Sequence, residues 1–134
     1  MPQMIFVNLP ITDVKRSRRF YEALGYRVNE QFSDETTACI VVSDTIYFMI
    51  LEQERFKSFL TGPMGDPAKA TSVLMALSQD SREAVDDFAA TALAHGGSEP
   101  KAPTDMGFMY NRTICDPDGN TFEPFWMDPA AAGG

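Results

Sequence analysis

The chain has 134 residues, the length of one domain with enough chain to bury a core. Its 44% hydrophobic and 22% charged residues are typical of a soluble globular protein, and no apolar run approaches the roughly 18–20 residues of a membrane helix. A net charge of −8 with no basic stripe excludes nucleic acid as the expected partner. The acidic charge favours a cationic small molecule instead.

The first half of the chain predicts a strand, a helix and three further strands. Alternating side chains predict the first strand at about 5–11. Thr12 or Asp13 can cap a helix that runs to Leu24, and Gly25 suits the left-handed position after it. Further strands are predicted at 26–32, 38–43 and 45–51, with a short helical turn within 52–60.

The second half repeats this order after a Gly- and Pro-rich linker. Asp80 or Ser81 can cap the second helix, and Gly119 suits the turn of 116–119. The predicted elements are the linker 61–71, a strand at 72–78, a helix at 81–95, a loop at 101–105, strands at 108–116 and 121–127, and a frayed tail at 128–134.

A strand, a helix and several strands therefore occur twice, at an offset of roughly 65–75 residues, which indicates a duplicated module. We predict an α+β fold in a single domain, 1–134, with a first βαβββ module at 4–60 and a second at 72–128. A paired module is expected to build one concave site between its halves.

The N-terminal residues pass directly into a strand pattern and carry no basic leader, so we expect a cytoplasmic protein. Cys39 and Cys115 both fall in strand-like runs without the CxxC spacing of a zinc or redox site. We predict two free, partly buried thiols, because a disulfide would require neighbouring strands and an oxidising compartment.

Two segments resemble motifs of the vicinal oxygen chelate superfamily, which contains glyoxalase I, bleomycin-resistance proteins, fosfomycin-resistance transferases and extradiol dioxygenases. Residues 9–26 (LPITDVKRSRRFYEALGY) are similar to its opening LxVxDxxRSxxFYxxLG pattern, and residues 116–123 (DPDGNTFE) to its closing DPDGNxxE pattern. The resemblance implies two βαβββ modules whose curled mixed sheets surround a central cup. It also implies a homodimer.

The resemblance places the superfamily's four metal-ligand positions on Phe6, Met49, Leu74 and Glu123, or on Ser72 instead of Leu74 if the register slips by two. Only Glu123 is a ligand-type residue at these positions, whereas a catalytic metal centre needs at least three such ligands. The single histidine, His95, falls at the end of the second helix, where it favours the negative end of the helix dipole. We therefore expect no cofactor and disfavour a divalent metal.

Strand parity predicts a small-molecule site of aromatic, sulfur-containing and a few polar side chains. For the strand at 108–116 either parity is open, Tyr110, Arg112 and Ile114 or Met109, Asn111 and Thr113, and we favour the first. The predicted ligand-binding residues are Phe6, Asn8, Tyr47, Met49, Leu74, Tyr110, Arg112 and Phe125, with Leu51, Ala76 and Met127 on the same parity.

Glu123 is the candidate catalytic residue of this predicted site. A buried carboxylate needs a partner, so Arg112, Tyr110 or Asn8 is expected beside it. Without a partner, Glu123 could act as a general base. The alternative for the whole set is that these side chains simply fill the interior as core.

Three functions follow from these observations. The first is a metal-free protein that resembles the bleomycin-resistance branch and binds a cationic or aromatic compound. The second is a glyoxalase-like lyase or isomerase, or a dioxygenase, that uses Glu123 as ligand or base. The third is a non-catalytic, dimeric interaction module. We favour the first.

Overall fold

The computed structural model describes residues 2–132. Its contacts divide the chain into two compact units, Met1–Ala70 and Thr71–Gly134, and each unit contains one mixed sheet with helices. The first unit contains β1 (Ile5–Ile11), α1 (Val14–Ala23), β2 (Arg27–Asn29), a 3-10 turn (Glu30–Phe32), β3 (Thr37–Val41), β4 (Ile46–Glu52) and α2 (Gln53–Lys57). The second contains β5 (Leu74–Ser78), α3 (Arg82–Ala94), β6 (Thr104–Asp105), β7 (Met109–Asn111), β8 (Ile114–Cys115), β9 (Thr121–Met127) and α4 (Pro129–Ala132).

Both sheets follow the same plan, in which the first strand of the unit lies parallel to the last. The first sheet has the order β1-β4-β3-β2, and the second has the order β5-β9-β7-β6, with β8 also paired to β9. β1 is parallel to β4 and β5 is parallel to β9, whereas the remaining pairs are antiparallel. The predicted α+β fold with two mixed sheets is confirmed. The first unit has the predicted βαβββ order, whereas the second unit has five strands.

Two carboxylates fix the start of α1. The side chain of Asp13 accepts hydrogen bonds from the backbone N–H groups of Lys15 (3.0 Å) and Arg16 (3.3 Å). Glu52, at the end of β4, accepts the N–H of Val14 at 3.0 Å. These N–H groups have no partner within the helix, so the carboxylates satisfy them and favour the positive end of the helix dipole. Gly25, with φ of 99°, follows the C-terminal end.

The core of the first unit lies between α1 and one face of its sheet. Phe20 and Tyr21 are fully buried, and the Tyr21 ring meets Phe48 of β4 edge-on at 6.2 Å between centroids. Each such buried aromatic side chain stabilises the fold by about 1.5–3 kcal/mol. Ile11 and Ile50 are buried on the same face, which leaves the opposite face of the sheet without α1.

In the second unit, α3 packs on the equivalent face of its sheet. Ser81 caps the helix by accepting the N–H of Ala84 at 3.0 Å. The helix buries one stripe against the sheet, comprising Val85, Phe88, Ala89 and Ala92. Phe122 of β9 is buried beneath this stripe with Ile114 of β8.

The turn before β9 is organised by one buried carboxylate. Asp116 accepts the backbone N–H groups of Asp118 and Asn120, both at 2.9 Å, and the side-chain amide of Asn120 at 2.9 Å. Gly119 has a φ of 95°, which L side chains rarely adopt. The predicted turn at 116–119 is confirmed, and it sets where β9 begins.

Some predicted elements were wrong. The predicted strand 26–32 stops at Asn29, whose side chain accepts the N–H of Gln31 at 3.0 Å and starts a 3-10 turn. The predicted strand 108–116 divides into β7 and β8, and the predicted loop 101–105 contains β6. The tail predicted to fray forms α4, and Gly133 and Gly134 lie outside the described residues.

Cys39 is buried and Cys115 half-buried, and both are free thiols. Across residues 2–132, the structure contains no helix that combines the length and apolar character needed to span a membrane.

Replacing Asp116 with alanine should destabilise the second unit. The substitution leaves buried N–H groups of Asp118 and Asn120 without their acceptor, which costs about 3 kcal/mol in the free energy of unfolding. Urea unfolding measures the change. The control is Asp128→Ala, which removes a single exposed bond to the N–H of Ala130 and should cost about 1 kcal/mol or less. Equal losses in the two variants would contradict the role assigned to Asp116.

Candidate functional site

The face of the first sheet opposite α1, here called the aromatic face, carries the four residues predicted from the first module. The parallel pairing of β1 with β4 sets Phe6 beside Tyr47 and Asn8 beside Met49. Partners in a ladder point to the same side of a sheet, so these four side chains form a two-by-two patch.

A stacked aromatic pair occupies one end of this patch. The rings of Phe6 and Tyr47 lie 4.5 Å apart between centroids with an 8° angle between their planes. The hydroxyl of Tyr47 donates to the backbone oxygen of Asp44 at 2.9 Å, which fixes the direction of the ring. The Phe6 side chain is nevertheless 45% exposed. It is therefore a surface ring in this chain and does not serve as core.

An apolar hollow occupies the other end of the aromatic face. It has a volume of about 300 Å³, and its walls are the side chains of Asn8, Leu51, Phe56, Phe59 and Leu60. Phe56 belongs to α2, and Phe59 and Leu60 follow it in the chain. The sequence predicts a short helical turn within 52–60, but it does not assign Phe56, Phe59 and Leu60 to the site.

Strand β3 adds Cys39 and Val41, among others, to this face, and the sequence does not assign either residue to the site. Its register places Cys39 opposite Met49 and Val41 opposite Tyr47, on the aromatic face. Both side chains are buried, and burial raises the pKa of the Cys39 thiol. The alternation within 38–43 predicts that Cys39 and Val41 share a face of the strand, but it does not indicate that this face belongs to the site.

The equivalent face of the second sheet, opposite α3, is here called the acidic face. Parallel pairing sets Ala76 beside Glu123, Leu74 beside Thr121 and Ser78 beside Phe125. Glu123 is half-buried, and its carboxylate makes no hydrogen bond or ion pair with any residue in 2–132.

The prediction that Tyr110 and Arg112 share the face of Glu123 was wrong. Tyr110 pairs with Trp126 in the β7–β9 ladder, and Asn111 pairs with Phe125. This register sets Tyr110, Arg112 and Ile114 on the α3 side, and it sets Met109, Asn111 and Thr113 on the acidic face, with Thr113 opposite Glu123.

The side chains of Tyr110 and Arg112 reach α3 and the loop after it. Arg112 binds the carboxylate of Glu99 through two nitrogens, at 2.8 and 2.9 Å, and that of Asp86 at 3.0 Å. Tyr110 donates its hydroxyl to Asp86 at 2.6 Å. The hydrogen bonds to Glu99 raise the pKa of Arg112, and Arg112 in turn lowers the pKa of Glu99. The expected partnership of Arg112 or Tyr110 with Glu123 is therefore absent among these residues.

A second arginine completes the α3 side of this sheet. The guanidinium of Arg82 lies 5.3 Å from the ring centroid of Tyr110 and 5.1 Å from that of Trp126. It also binds Asp105 through two nitrogens, at 2.9 and 3.1 Å. Cation–π contacts and ion pairs thus tie α3 to the β6–β7 hairpin.

The residues at the four positions that the resemblance assigns to metal ligands do not fit a metal centre. Phe6, Met49 and Leu74 offer a phenyl ring, a thioether and an alkyl chain, and Ser72 precedes β5. Within the described part of the chain, no three His, Cys, Asp or Glu side chains lie close enough together to hold a metal ion. His95 is exposed at the end of α3, where its Nδ1 lies 2.8 Å from the backbone oxygen of Thr91.

Comparison with known proteins identifies one matching family model. The model of the bleomycin resistance protein-like N-terminal family matches residues 3–43, which cover β1, α1, β2 and β3. No curated protein sequence matches the chain.

Solved structures match nearly the whole chain. A glyoxalase/bleomycin resistance protein/dioxygenase family enzyme from Burkholderia phytofirmans PsJN has a TM-score of 0.76 at 20% identity, covering 94% of this chain and 99% of its own. A glyoxalase-related enzyme from Fulvimarina pelagi has a TM-score of 0.79 at 17% identity, covering 94% and 88%. A bleomycin resistance determinant encoded on the transposon Tn5 has a TM-score of 0.64 at 21% identity, covering 95% and 99%. At these identities the likeness shows the fold.

Replacing Arg112 with methionine should reduce the stability of the second unit by about 2 kcal/mol at neutral pH, because two carboxylates lose their shared partner. The pKa of Glu99 is lowered from 4.5 chiefly by Arg112, and that of Asp86 from 3.8 by Tyr110 and then Arg112. Carboxylates with lowered pKa values stabilise the fold at higher pH, and this contribution is lost as the pH falls through the lowered values.

The difference between wild type and Arg112→Met should therefore shrink as the pH falls from 7 to below about 4. Urea unfolding at several pH values tests this. Arg18→Met is a suitable control, because its ion pair with Glu30 lies at the surface and should contribute less. A stability difference that is constant with pH would contradict the role assigned to Arg112.

Proposed function

We propose that this chain, which has the fold of the vicinal oxygen chelate superfamily, binds a small organic molecule on the aromatic face of its first sheet. The observation that carries the proposal is the stacked Phe6–Tyr47 pair, which is solvent-exposed and adjoins an apolar hollow of about 300 Å³. Concave apolar surfaces with a few polar groups are the usual form of small-molecule sites.

The energetics of the aromatic face support a ligand with an aromatic ring. The exposed ring of Phe6 presents apolar surface, and covering such surface contributes roughly 25 cal/mol per Å². Stacking between aromatic rings adds about 0.5–1.5 kcal/mol beyond that burial. Met49 lies beside the rings on the same face, and its flexible thioether can adapt to the outline of a ligand.

A cationic group on the ligand is also part of the proposal. The net charge of −8 attracts cations at long range, and a cation within about 6 Å of an aromatic ring face is further stabilised. Among the structural neighbours is the Tn5 bleomycin resistance determinant, whose name refers to resistance to bleomycin. That likeness supports binding of a small molecule here, without specifying which one.

A second candidate function is an enzyme of the glyoxalase or dioxygenase kind. The specific observation in its favour is Glu123, a half-buried carboxylate without a partner in residues 2–132. Such a group could remove a proton from a substrate on the acidic face. We favour binding over catalysis, since the residues at the ligand positions do not fit the metal centre of the superfamily's enzymes. A homodimer is also proposed, from the resemblance alone.

Phe6→Ala should weaken small-molecule binding. Ligand-observed NMR against a fragment set of aromatic, aliphatic, cationic and anionic compounds would first identify binders of the wild type. For aromatic binders we expect Phe6→Ala to raise the dissociation constant by about ten-fold, because the stacking partner is lost. The matched control is Phe32→Ala, which removes a more exposed phenylalanine that neither stacks on Tyr47 nor lines the hollow.

Either of two results would contradict the proposed function. One is the absence of binding by any class of fragment at millimolar concentration. The other is aromatic binding that Phe32→Ala weakens as much as Phe6→Ala does. Folding of each variant is checked by circular dichroism and urea unfolding.

Glu123→Gln separates binding from catalysis. If the chain is a binding protein, the variant should retain the affinity of aromatic fragments within about two-fold, because Glu123 is neither part of the stacked ring pair nor among the residues that line the hollow. Metal content, measured by mass spectrometry on protein purified without chelator or affinity-tag metal, should stay far below one ion per chain in both proteins. Near-stoichiometric metal that is lost in Glu123→Gln would instead support the enzyme.

A further inference from the structure

The hollow on the aromatic face has a lining without charge. Leu51, Phe56, Phe59 and Leu60 are hydrocarbon walls, and Asn8 contributes the one polar side chain among the lining residues. A charged group placed among these walls would lose its hydration without gaining an ionic partner. The lining therefore favours a neutral group.

The carboxamide of Asn8 has a defined orientation. Its Nδ2 donates to the backbone oxygen of Phe6 at 3.3 Å. A carbonyl oxygen can only accept a hydrogen bond, so the amide atom facing it must be the nitrogen, and Oδ1 is directed away from it. Asn8 is exposed, and its Oδ1 makes no hydrogen bond with another part of the chain in residues 2–132. An acceptor is therefore available beside the apolar walls.

The size of the hollow limits the group it can hold. An apolar cavity of about 150 Å³ is enough for benzene. A hollow of about 300 Å³ can thus hold a fused pair of aromatic rings. Phe59, which is 63% exposed, has the guanidinium of Arg55 at 4.9 Å from its ring centroid, so this ring already contacts a cation of the chain itself.

We infer that the hollow binds a neutral, bicyclic aromatic group that carries an N–H or O–H donor, and that Asn8 Oδ1 accepts the hydrogen bond from this donor. The inference rests on the proposed function and names the class of ligand group that the aromatic face recognises. Any charged part of a ligand lies outside the hollow.

Indole and 1-methylindole provide a matched pair of probes, since they differ in the presence of the N–H donor. Titration of ¹⁵N-labelled protein, followed through the amide signals of Asn8 and Phe59, gives both the affinity and the location. We expect indole to bind about five-fold more tightly than 1-methylindole, which is the contribution of one neutral hydrogen bond. N-methylquinolinium, a cation of similar size, should not shift the Phe59 signal.

Asn8→Leu removes the hydrogen-bond acceptor and keeps a side chain of similar size. It should weaken the binding of indole but not of 1-methylindole, so the preference for indole should disappear. Asn8→Asp, which keeps an acceptor oxygen, should retain the preference. Phe59→Ala should weaken both probes by a similar factor, because it removes an apolar wall that both probes contact.

The inference is overturned if indole and 1-methylindole bind equally, if Asn8→Leu weakens both alike, or if N-methylquinolinium binds most tightly at the hollow. It is also overturned if neither indole probe shifts the Asn8 and Phe59 signals. In each case the proposed function stands if other fragments bind and Phe6→Ala weakens them more than Phe32→Ala does. The proposed function falls if no fragment binds, or if the two variants weaken aromatic binding equally.

Discussion

Parallel pairing between the first and last strands of each unit is the constraint on which the two candidate faces depend. Parallel neighbours cannot be joined by a hairpin, so the chain must cross over, and α1 and α3 occupy the crossovers. Each helix covers one face of its sheet. The first and last strands of the unit line the opposite face. That pairing brings Phe6 beside Tyr47 in the first unit and Ala76 beside Glu123 in the second.

The two units present different chemistry at equivalent places. Met49 lies on the last strand of the first sheet beside Asn8, and Glu123 lies on the last strand of the second beside Ala76. One unit therefore presents aromatic rings, a thioether and a carboxamide, whereas the other presents a carboxylate next to a small side chain. This difference between the units is why the binding proposal rests on the first sheet and the catalytic alternative on the second.

Much of the fold could be predicted from local patterns. Alternation located β1 and β9 at the residues where they occur, and cap residues located the start of both long helices. The strand predicted at 26–32 ends early because the side chain of Asn29 accepts a hydrogen bond from the backbone N–H of Gln31. Hydrophobic alternation contains no information about this hydrogen bond.

The prediction that Tyr110 and Arg112 share the face of Glu123 was wrong for a different reason. Tyr110 and Arg112 have apolar stems and polar tips, so hydrophobicity cannot decide which side of a sheet they take. Their orientation follows from Asp86 and Glu99, which are distant in sequence and whose carboxylates bond them. The hollow was missed since it combines strand residues with Phe59 and Leu60, which follow α2. Local patterns do not specify such contacts.

The exposure of Phe6 has an evolutionary consequence. A side chain that is 45% exposed contributes little to the stability of the fold. Replacing it therefore leaves the core between α1 and the sheet intact. Descendants of such a protein can exchange the rings of this face and acquire new ligands while the scaffold persists. The three solved structures compared above have TM-scores of 0.64–0.79 at identities of 17–21%. This combination of a shared fold and divergent sequences is what is expected when exposed residues change and the core is kept.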